Sequence, residues 1–360
     1  MGGSEQKYIQ EAFDTNWIAP LGPNVNEFEK ILQNYLSTNK HIAALSAGTA
    51  ALHLALKLAG VQAGDEVLCQ SMTFSASANP ITYEGGIPIF VDSERDTWNM
   101  SPELLEKAIK DRMTKGKKPK AIIPVHLYGM PARMEQIIEI ARHYRIPVIE
   151  DAAESLGSHI NGQMTGTFGD YAILSFNGNK IITTSGGGAL ITSTQKEKEK
   201  AIFWATQARD AAPHYQHSEI GYNYRMSNIL AGIGRGQMEV LDQRIAARRA
   251  NFSFYQETLD NLPLNFLTEP DGFYANRWLT TILTDSYEQR EKIRLALAAE
   301  NIESRPLWKP MHRQPVFKDA PAYVNGVSDD LFDRGLCLPS GSNLTDVERE
   351  RIVAVIKSCF

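Results

Sequence analysis

The feature that most restricts this chain is an alternation of short, nearly unbroken apolar runs of strand character with helix-forming stretches. Glu66-Val67-Leu68-Cys69, Ile87-Pro88-Ile89-Phe90-Val91, Ala121-Ile122-Ile123-Pro124-Val125 and Pro147-Val148-Ile149 come first. Ala172-Ile173-Leu174-Ser175-Phe176 and Gly188-Ala189-Leu190-Ile191 follow. A strand that alternates apolar and polar residues has one wet face, whereas a strand apolar throughout must be covered on both. Such runs with helices between them predict an α/β fold with a mainly parallel sheet covered by helices. Thr49 to Leu58 places Leu52, Ala55, Leu56 and Ala59 on one helical face. Met134 to Tyr144 reads as an amphipathic helix ended by Arg145 before Ile146-Pro147.

After Gly236 the pattern changes. A long helical stretch runs from about Gln237 to Leu262, followed by a strand over Trp278 to Leu283 and helices over Glu288 to Glu300 and Asp346 to Lys357. Residues 1–237 are therefore expected to form a large α/β domain and residues 238–360 a small C-terminal α+β domain. A chain of 360 residues is long enough for both.

The formal net charge of −5 gives no electrostatic footprint for nucleic acid. The densest basic stretch, Lys115 to Lys120, contains Gly and Pro and reads as a solvated loop. Cys69, Cys337 and Cys359 are widely spaced and form neither a disulfide framework nor a metal knuckle, which favours a reducing compartment. No apolar run approaches the roughly 18 residues needed to span a bilayer, and Met1 to Gln6 has no apolar signal core. The expectation is a cytoplasmic protein that binds neither nucleic acid nor membrane and holds no metal.

Three segments carry chemistry. In Leu45-Ser46-Ala47-Gly48-Thr49-Ala50 a strand-like entry meets a helix start. Gly48 lets backbone approach a ligand, and Thr49 sets a hydroxyl beside the free amides of the first turn, an arrangement suited to phosphate. The same residues would also serve as an ordinary cap. In Val148-Ile149-Glu150-Asp151 the apolar run puts Asp151 at the C-terminal end of a buried strand, where open α/β sheets bind ligands. In Leu174-Ser175-Phe176-Asn177-Gly178-Asn179-Lys180-Ile181-Ile182 a lysine follows a small polar turn, and Ser175 and Asn177 add hydrogen-bonding groups. A phosphate cradle, a buried carboxylate and a lysine are together the parts that a pyridoxal 5'-phosphate enzyme needs.

These segments resemble the DegT/DnrJ-type sugar-nucleotide aminotransferases. The resemblance extends through Ser46 to His53, Gln70 to Asn79, Glu150 to Glu154, Ser175 to Lys180 and Gly221-Tyr222-Asn223-Tyr224-Arg225-Met226-Ser227. It implies a fold type I transferase and a homodimer with active sites at the subunit interface. Lys180 is then the catalytic Schiff-base lysine, Asp151 the partner of the ring nitrogen, and Phe74 the residue on the ring face. Glu154 lies near the 3-hydroxyl, Gly48, Thr49 and Ser175 hold the phosphate, and Asn223 reaches the neighbouring subunit's cofactor. Ala47 and Glu154 depart from the family pattern, which associates Ser with the first position and Gln or His with the second. Family members also begin with a stretch ahead of Met-Gly-Gly, which implies that this chain starts slightly inside the usual beginning.

Asn276 to Thr280, Ser304 to His312 and Asp333 to Gly341 resemble the bacillosamine-pathway 4-aminotransferases of glycan biosynthesis. That implies L-glutamate as donor and UDP-2-acetamido-2,6-dideoxy-4-keto-hexose as acceptor, giving UDP-4-amino-4,6-dideoxy-N-acetylglucosamine and 2-oxoglutarate. Arg277, Arg305, Lys309 and His312 are candidates to neutralise the diphosphate, and Trp278 and Trp308 to stack on base or sugar. Equally, these arginines suit surface salt bridges and the tryptophans a domain core. Alternatives are a dTDP- or GDP-linked keto-sugar, and a pyridoxal-phosphate-binding regulatory protein without turnover. Family members that dehydrate sugars carry histidine at the lysine position, which Lys180 argues against.

Overall fold

The computed structural model describes all 360 residues. The first half of the chain supplies strands β1 (His41–Leu45), β2 (Glu66–Gln70), β3 (Ile87–Val91), β4 (Ala121–Ile123) and β5 (Ile149–Asp151). A short hairpin, β6 (His159–Ile160) and β7 (Gln163–Met164), precedes β8 (Tyr171–Ser175) and β9 (Gly188–Thr192). β2 pairs in parallel with β3 and β4, and β5 in parallel with β8. Parallel bridges Ile122–Val148 and Val125–Asp151 connect the β4 and β5 segments. β9 is antiparallel to both β8 and β1. The order is thus β3-β2-β4-β5-β8-β9-β1, with β9 alone reversed. Every residue of β2 and β9 is buried, as strands covered on both faces require.

Because β1, β2, β4, β5 and β8 run the same way, the loops that leave their C-terminal ends gather on one edge of the sheet. The helix Gly48–Leu58 follows β1, the Ser71–Ser77 segment follows β2, and His126–Gly129 follows β4. Asp151 ends β5, and Ser175 ends β8.

The C-terminal third adds β10 (Asn265–Phe266), β11 (Phe273–Tyr274), β12 (Thr280–Leu283), β13 (Arg305–Pro306), β14 (Ala322–Tyr323) and β15 (Gly335–Leu338). An antiparallel sheet, β10-β12-β15-β13, packs with the helices Leu241–Thr258, Tyr287–Ala299 and Asp346–Lys357 around Tyr255, Ile293, Leu297 and Ile356. The same third also crosses back: β14 lies parallel to β3, extending the central sheet. No helix is long and apolar enough to cross a membrane.

The helix expected from about Gln237 to Leu262 is Leu241–Thr258, and another helix, Asn228–Met238, not read from the sequence, ends just before it. Their packing partners explain the break. Gly234 and Gly236 let the earlier helix close on the Phe28 ring and the Glu5 backbone, where added Cβ atoms would come within 2.7 Å of both. The later helix buries Tyr255 in the C-terminal core instead. Helices Glu5–Asp14, Pro23–Tyr35, Pro102–Thr114 and Gln195–Ala205 complete the cover of the central sheet without having been read from the sequence.

Candidate active site

Ser46, Ala47, Gly48 and Thr49 form one wall of a cavity of about 280 Å³ at the C-terminal edge of the central sheet. The helix that starts at Gly48 has no side-chain cap, so its first amides point free into this space. A Cβ on Gly48 would stand 3.0 Å from the Ser175 Cβ and 3.4 Å from the Leu174 carbonyl oxygen. Glycine is what allows the turn and Ser175 to close around a small anion. Gly188 is tighter still: a Cβ there would overlap the backbone of Ala47 and Gly48. Ser175 and Thr49 both line the cavity.

Asp151 lines the opposite part and is 6 % exposed. Its Oδ2 accepts from the Ser77 hydroxyl at 2.6 Å and its Oδ1 from the Ala153 amide at 3.1 Å. Ser77 Oγ is in turn 2.7 Å from Thr73 Oγ1, and both hydroxyl residues line the cavity. A buried carboxylate that is oriented by two donors and still faces a cavity is suited to a cationic N–H. Phe74, half-exposed, lines the same cavity.

Lys180 lies in the loop between β8 and β9, in a turn closed by its own amide on the Asn177 carbonyl at 3.0 Å. Its Nζ is 3.5 Å from Glu154 Oε1 and 4.3 Å from the centre of the Trp278 ring. Glu154 is 4 % exposed, and its Oε2 accepts from the Tyr128 amide at 2.7 Å. Burial pushes the Glu154 carboxyl above its ordinary range, and Lys180 and the Tyr128 amide pull it back only in part. Ion pair and cation–π contact together hold the lysine amine inside the cavity.

A second cavity, of about 650 Å³, adjoins the first. Asn179, Trp278 and Trp308 line both, so the two tryptophans stand between them. Arg305 lies on the rim of the second cavity, paired with Glu303, and its side chain is 75 % exposed.

Four further candidates lie elsewhere. Arg277 reaches neither cavity: 5 % exposed, it donates to the Leu267 carbonyl, pairs with Glu269 at 3.4 Å and stacks on Phe252. Its charge is spent inside the C-terminal unit, which corrects the expectation that it meets a diphosphate. His312 is held by Ser71 Oγ at 2.7 Å and faces Asp329 at 3.4 Å, and it lines neither cavity. Lys309 lines neither as well. Asn223 is exposed and lies outside the first cavity of its own chain.

Ser77, Thr73, Tyr128 and Asn179 were not singled out from the sequence. Serine, threonine and asparagine are common at turns, and only the fold brings Ser77 to Asp151 across 74 positions. A fully buried pair, His126 Nε2 and Glu150 Oε2 at 3.1 Å, also sits beneath the site, with Glu150 accepting from the Gly166 and Gly169 amides.

The donor set fits pyridoxal phosphate. The cradle that a Cβ at Gly48 would fill takes a phosphate, Asp151 takes a protonated ring nitrogen, and Lys180 is the one amine in the cavity wall.

Comparison with known proteins agrees with this geometry. The sequence profile of the DegT/DnrJ/EryC1/StrS aminotransferase family matches residues 1–357. EpsN of Bacillus subtilis (strain 168), named as a candidate pyridoxal phosphate-dependent aminotransferase, is 53% identical over 365 residues, covering 100% of this chain and 94% of that protein. GDP-perosamine synthase of Escherichia coli O157:H7 is 38% identical over 359 residues, covering 99% of this chain and 94% of that one. The crystal structure of a DegT DnrJ EryC1 StrS aminotransferase from Brucella abortus superposes with a TM-score of 0.92 at 31% identity, covering 99% and 95% of the two chains.

Proposed function

The chain belongs to the DegT/DnrJ/EryC1/StrS aminotransferase family, and from that premise we propose that it moves an amino group from L-glutamate to the keto carbon of a nucleotide-linked 4-keto-6-deoxy sugar, with Lys180 as its catalytic residue. The observation that carries this reading is the Lys180 amine, held 3.5 Å from Glu154 in the cavity that also contains Asp151 and the Gly48 cradle. The protein is a pyridoxal-phosphate-dependent enzyme of fold type I.

When bound, pyridoxal phosphate supplies an aldehyde for an amine and a ring that withdraws electrons from the carbon being deprotonated. The chain's own residues do the rest. The amides that open the Gly48–Leu58 helix, with Thr49 and Ser175, anchor the phosphate. Asp151, fixed by Ser77 and Ala153, keeps a proton on the ring nitrogen. Phe74 would cover one face of the ring, and Glu154 would meet its 3-oxygen side, both residues lining the cavity. Lys180 Nζ takes the proton from the amine-bearing carbon of glutamate and carries it across the nitrogen that is being transferred. It performs the reverse transfer for the keto-sugar. Two substrates that use one lysine in turn require ping-pong kinetics.

The second cavity, across Trp278 and Trp308, is the space for the nucleotide part of the acceptor, with Arg305 at its rim. The subgroup resemblance favours UDP-2-acetamido-2,6-dideoxy-4-keto-hexose. A GDP-linked acceptor has a specific observation on its side, the 38% identity to GDP-perosamine synthases of Escherichia coli O157:H7 and Caulobacter vibrioides. Residues 1–237 carry the cofactor site in this reading, and residues 238–360 form the unit that supplies the tryptophan wall. Trp17, Ile18, Leu21, Tyr215 and Ile220 are exposed apolar residues that support a homodimer, and three free cysteines support a cytoplasmic setting.

The test is the visible absorption of the purified, cofactor-loaded protein on addition of L-glutamate and then of UDP- and GDP-linked keto-sugars. Glutamate should bleach the band and one of the sugars restore it. A band that glutamate leaves unchanged refutes the transaminase reading, and one that neither sugar restores refutes the acceptor.

A further inference from the structure

Tyr128 has a conformation and a set of contacts that the reaction outlined above does not use. Its φ of 56° and ψ of 17° lie in the left-handed region, which is unfavourable for a bulky side chain and persists only where surrounding structure imposes it. The residue is 2 % exposed. Gly129 follows with φ 92°, and a Cβ there would overlap the Asn276 side chain and stand 3.1 Å from the Trp278 amide nitrogen. The turn is thus pressed against the segment that carries Trp278.

From this turn Tyr128 contacts both cavities' walls through different atoms. Its backbone N–H donates to Glu154 Oε2 at 2.7 Å, and Glu154 is the carboxylate that faces the Lys180 amine. Its hydroxyl oxygen accepts from the Trp308 backbone N–H at 2.8 Å. Its ring lies nearly parallel to both indoles, at 16° to Trp278 and 15° to Trp308, with centroids 6.5 and 6.3 Å away. Trp278 is itself held by its Nε1 on the Asn179 carbonyl and lies 4.3 Å from Lys180 Nζ. One residue therefore ties the lysine's two neighbours, Glu154 and Trp278, to the loop that carries Trp308. Tyr128 lines only the second cavity.

We propose that Tyr128 is a positioning residue that keeps the tryptophan wall of the acceptor cavity in register with the Lys180–Glu154 pair. The backbone contact serves the cofactor side and the hydroxyl serves the acceptor side, so the two functions are separable by mutation. The inference rests on the nucleotide-sugar reading given above.

Tyr128→Phe keeps the ring and the amide and removes the hydroxyl, which accepts from the Trp308 N–H and also meets the Cys337 thiol on the wall of the second cavity. The experiment titrates cofactor-loaded wild type and Y128F with free UDP and with free GDP, read by tryptophan fluorescence. It also follows the glutamate half-reaction by cofactor absorption. Nucleotide affinity should fall by about tenfold, the scale of one buried hydrogen bond, and the glutamate half-reaction by much less. Equal affinity in both proteins, or equal losses on both sides, overturns the positioning role and leaves the nucleotide-sugar reading standing. A wild type that binds neither nucleotide overturns the UDP- and GDP-linked readings of the acceptor and the inference built on them. Amide exchange in the wild type is an independent check: the Trp308 amide must be protected, and exchange at the rate of an open loop refutes the proposal whatever the variant does.

Discussion

At Lys180 the reading can be tested by one deletion. Lys180→Ala removes both the amine that joins the cofactor and the proton carrier. General acid–base catalysis alone is worth about 10²–10⁴-fold, so turnover should fall below detection, and measurable transamination in that variant would refute the assignment. Glu154 makes a prediction of opposite character, because its carboxyl is pushed up by burial. A raised pKa means that the folded protein holds the proton more tightly than the unfolded chain. The contribution is present at low pH and lost as pH rises from 4.5 through the folded value. Melting temperatures of the cofactor-free wild type and Glu154→Gln between pH 5 and 8 should therefore show the wild type losing ground to the variant as pH rises. A wild-type advantage that stays flat or grows with pH contradicts the account. Residues of this kind were legible in the sequence because their chemistry is rare in combination: a lysine after a polar turn, an aspartate ending an apolar run. Arg277 was not, because an arginine reads the same whether it faces a diphosphate or a buried glutamate. Only tertiary packing put Glu269 and Phe252 around it.

Elements that depend on local patterns were read closely. The helices Met134–Tyr144 and Asp346–Lys357 have the limits expected of them, the first ending where Arg145 takes a left-handed φ of 52° and the second starting at a Thr345–Glu348 capping box. Elements whose limits depend on docking were not. The helix Asn228–Met238 was not read at all, and it stops at Glu239–Val240 without a Pro, the next helix turning to a different core. β14 is two residues that become a strand only by lying beside β3. The phosphate cradle belongs to this scale too, since it is made where β9 runs against the start of the Gly48–Leu58 helix. A methyl group at Gly188 meets backbone of Ala47 and Gly48, which cannot swing aside as a side chain does. Gly188→Ala should cost about 1–3 kcal/mol of stability by overpacking, lower the melting temperature and weaken pyridoxal phosphate binding in a titration. Gly178→Ala, where the added carbon meets nothing within 4 Å, is the control expected to melt near the wild type. Equal behaviour of the two variants would show that the cradle tolerates more than its geometry allows.

For the molecule as a whole the question is whether one chain completes its own site. Asn223 follows Ile220 by three positions and Tyr215 by eight, residues that are 81 % and 80 % exposed, and it is outside the first cavity of its own chain. The homodimer proposed above gives that segment a destination, because an exposed apolar stretch next to a phosphate-binding candidate is what an interface that shares its sites presents. Mixing two differently impaired proteins, at a cofactor concentration too low to saturate the Asn223 variant, decides the matter. Lys180→Ala has no lysine but an intact Asn223, whereas Asn223→Ala has the lysine but a weakened phosphate contact. If Asn223 serves the partner's cofactor, a mixed dimer contains one site in which wild-type Lys180 meets wild-type Asn223, and activity returns after subunits exchange. If Asn223 serves its own chain, the mixed dimer pairs each defect with its own site and nothing is restored. Sedimentation velocity on each parent protein must show dimers for the exchange to be meaningful, and a monomer with full transaminase activity would overturn the shared-site arrangement outright. Recovery of activity on mixing is therefore expected, together with a cofactor affinity in the mixed dimer that splits into one strong and one weak site.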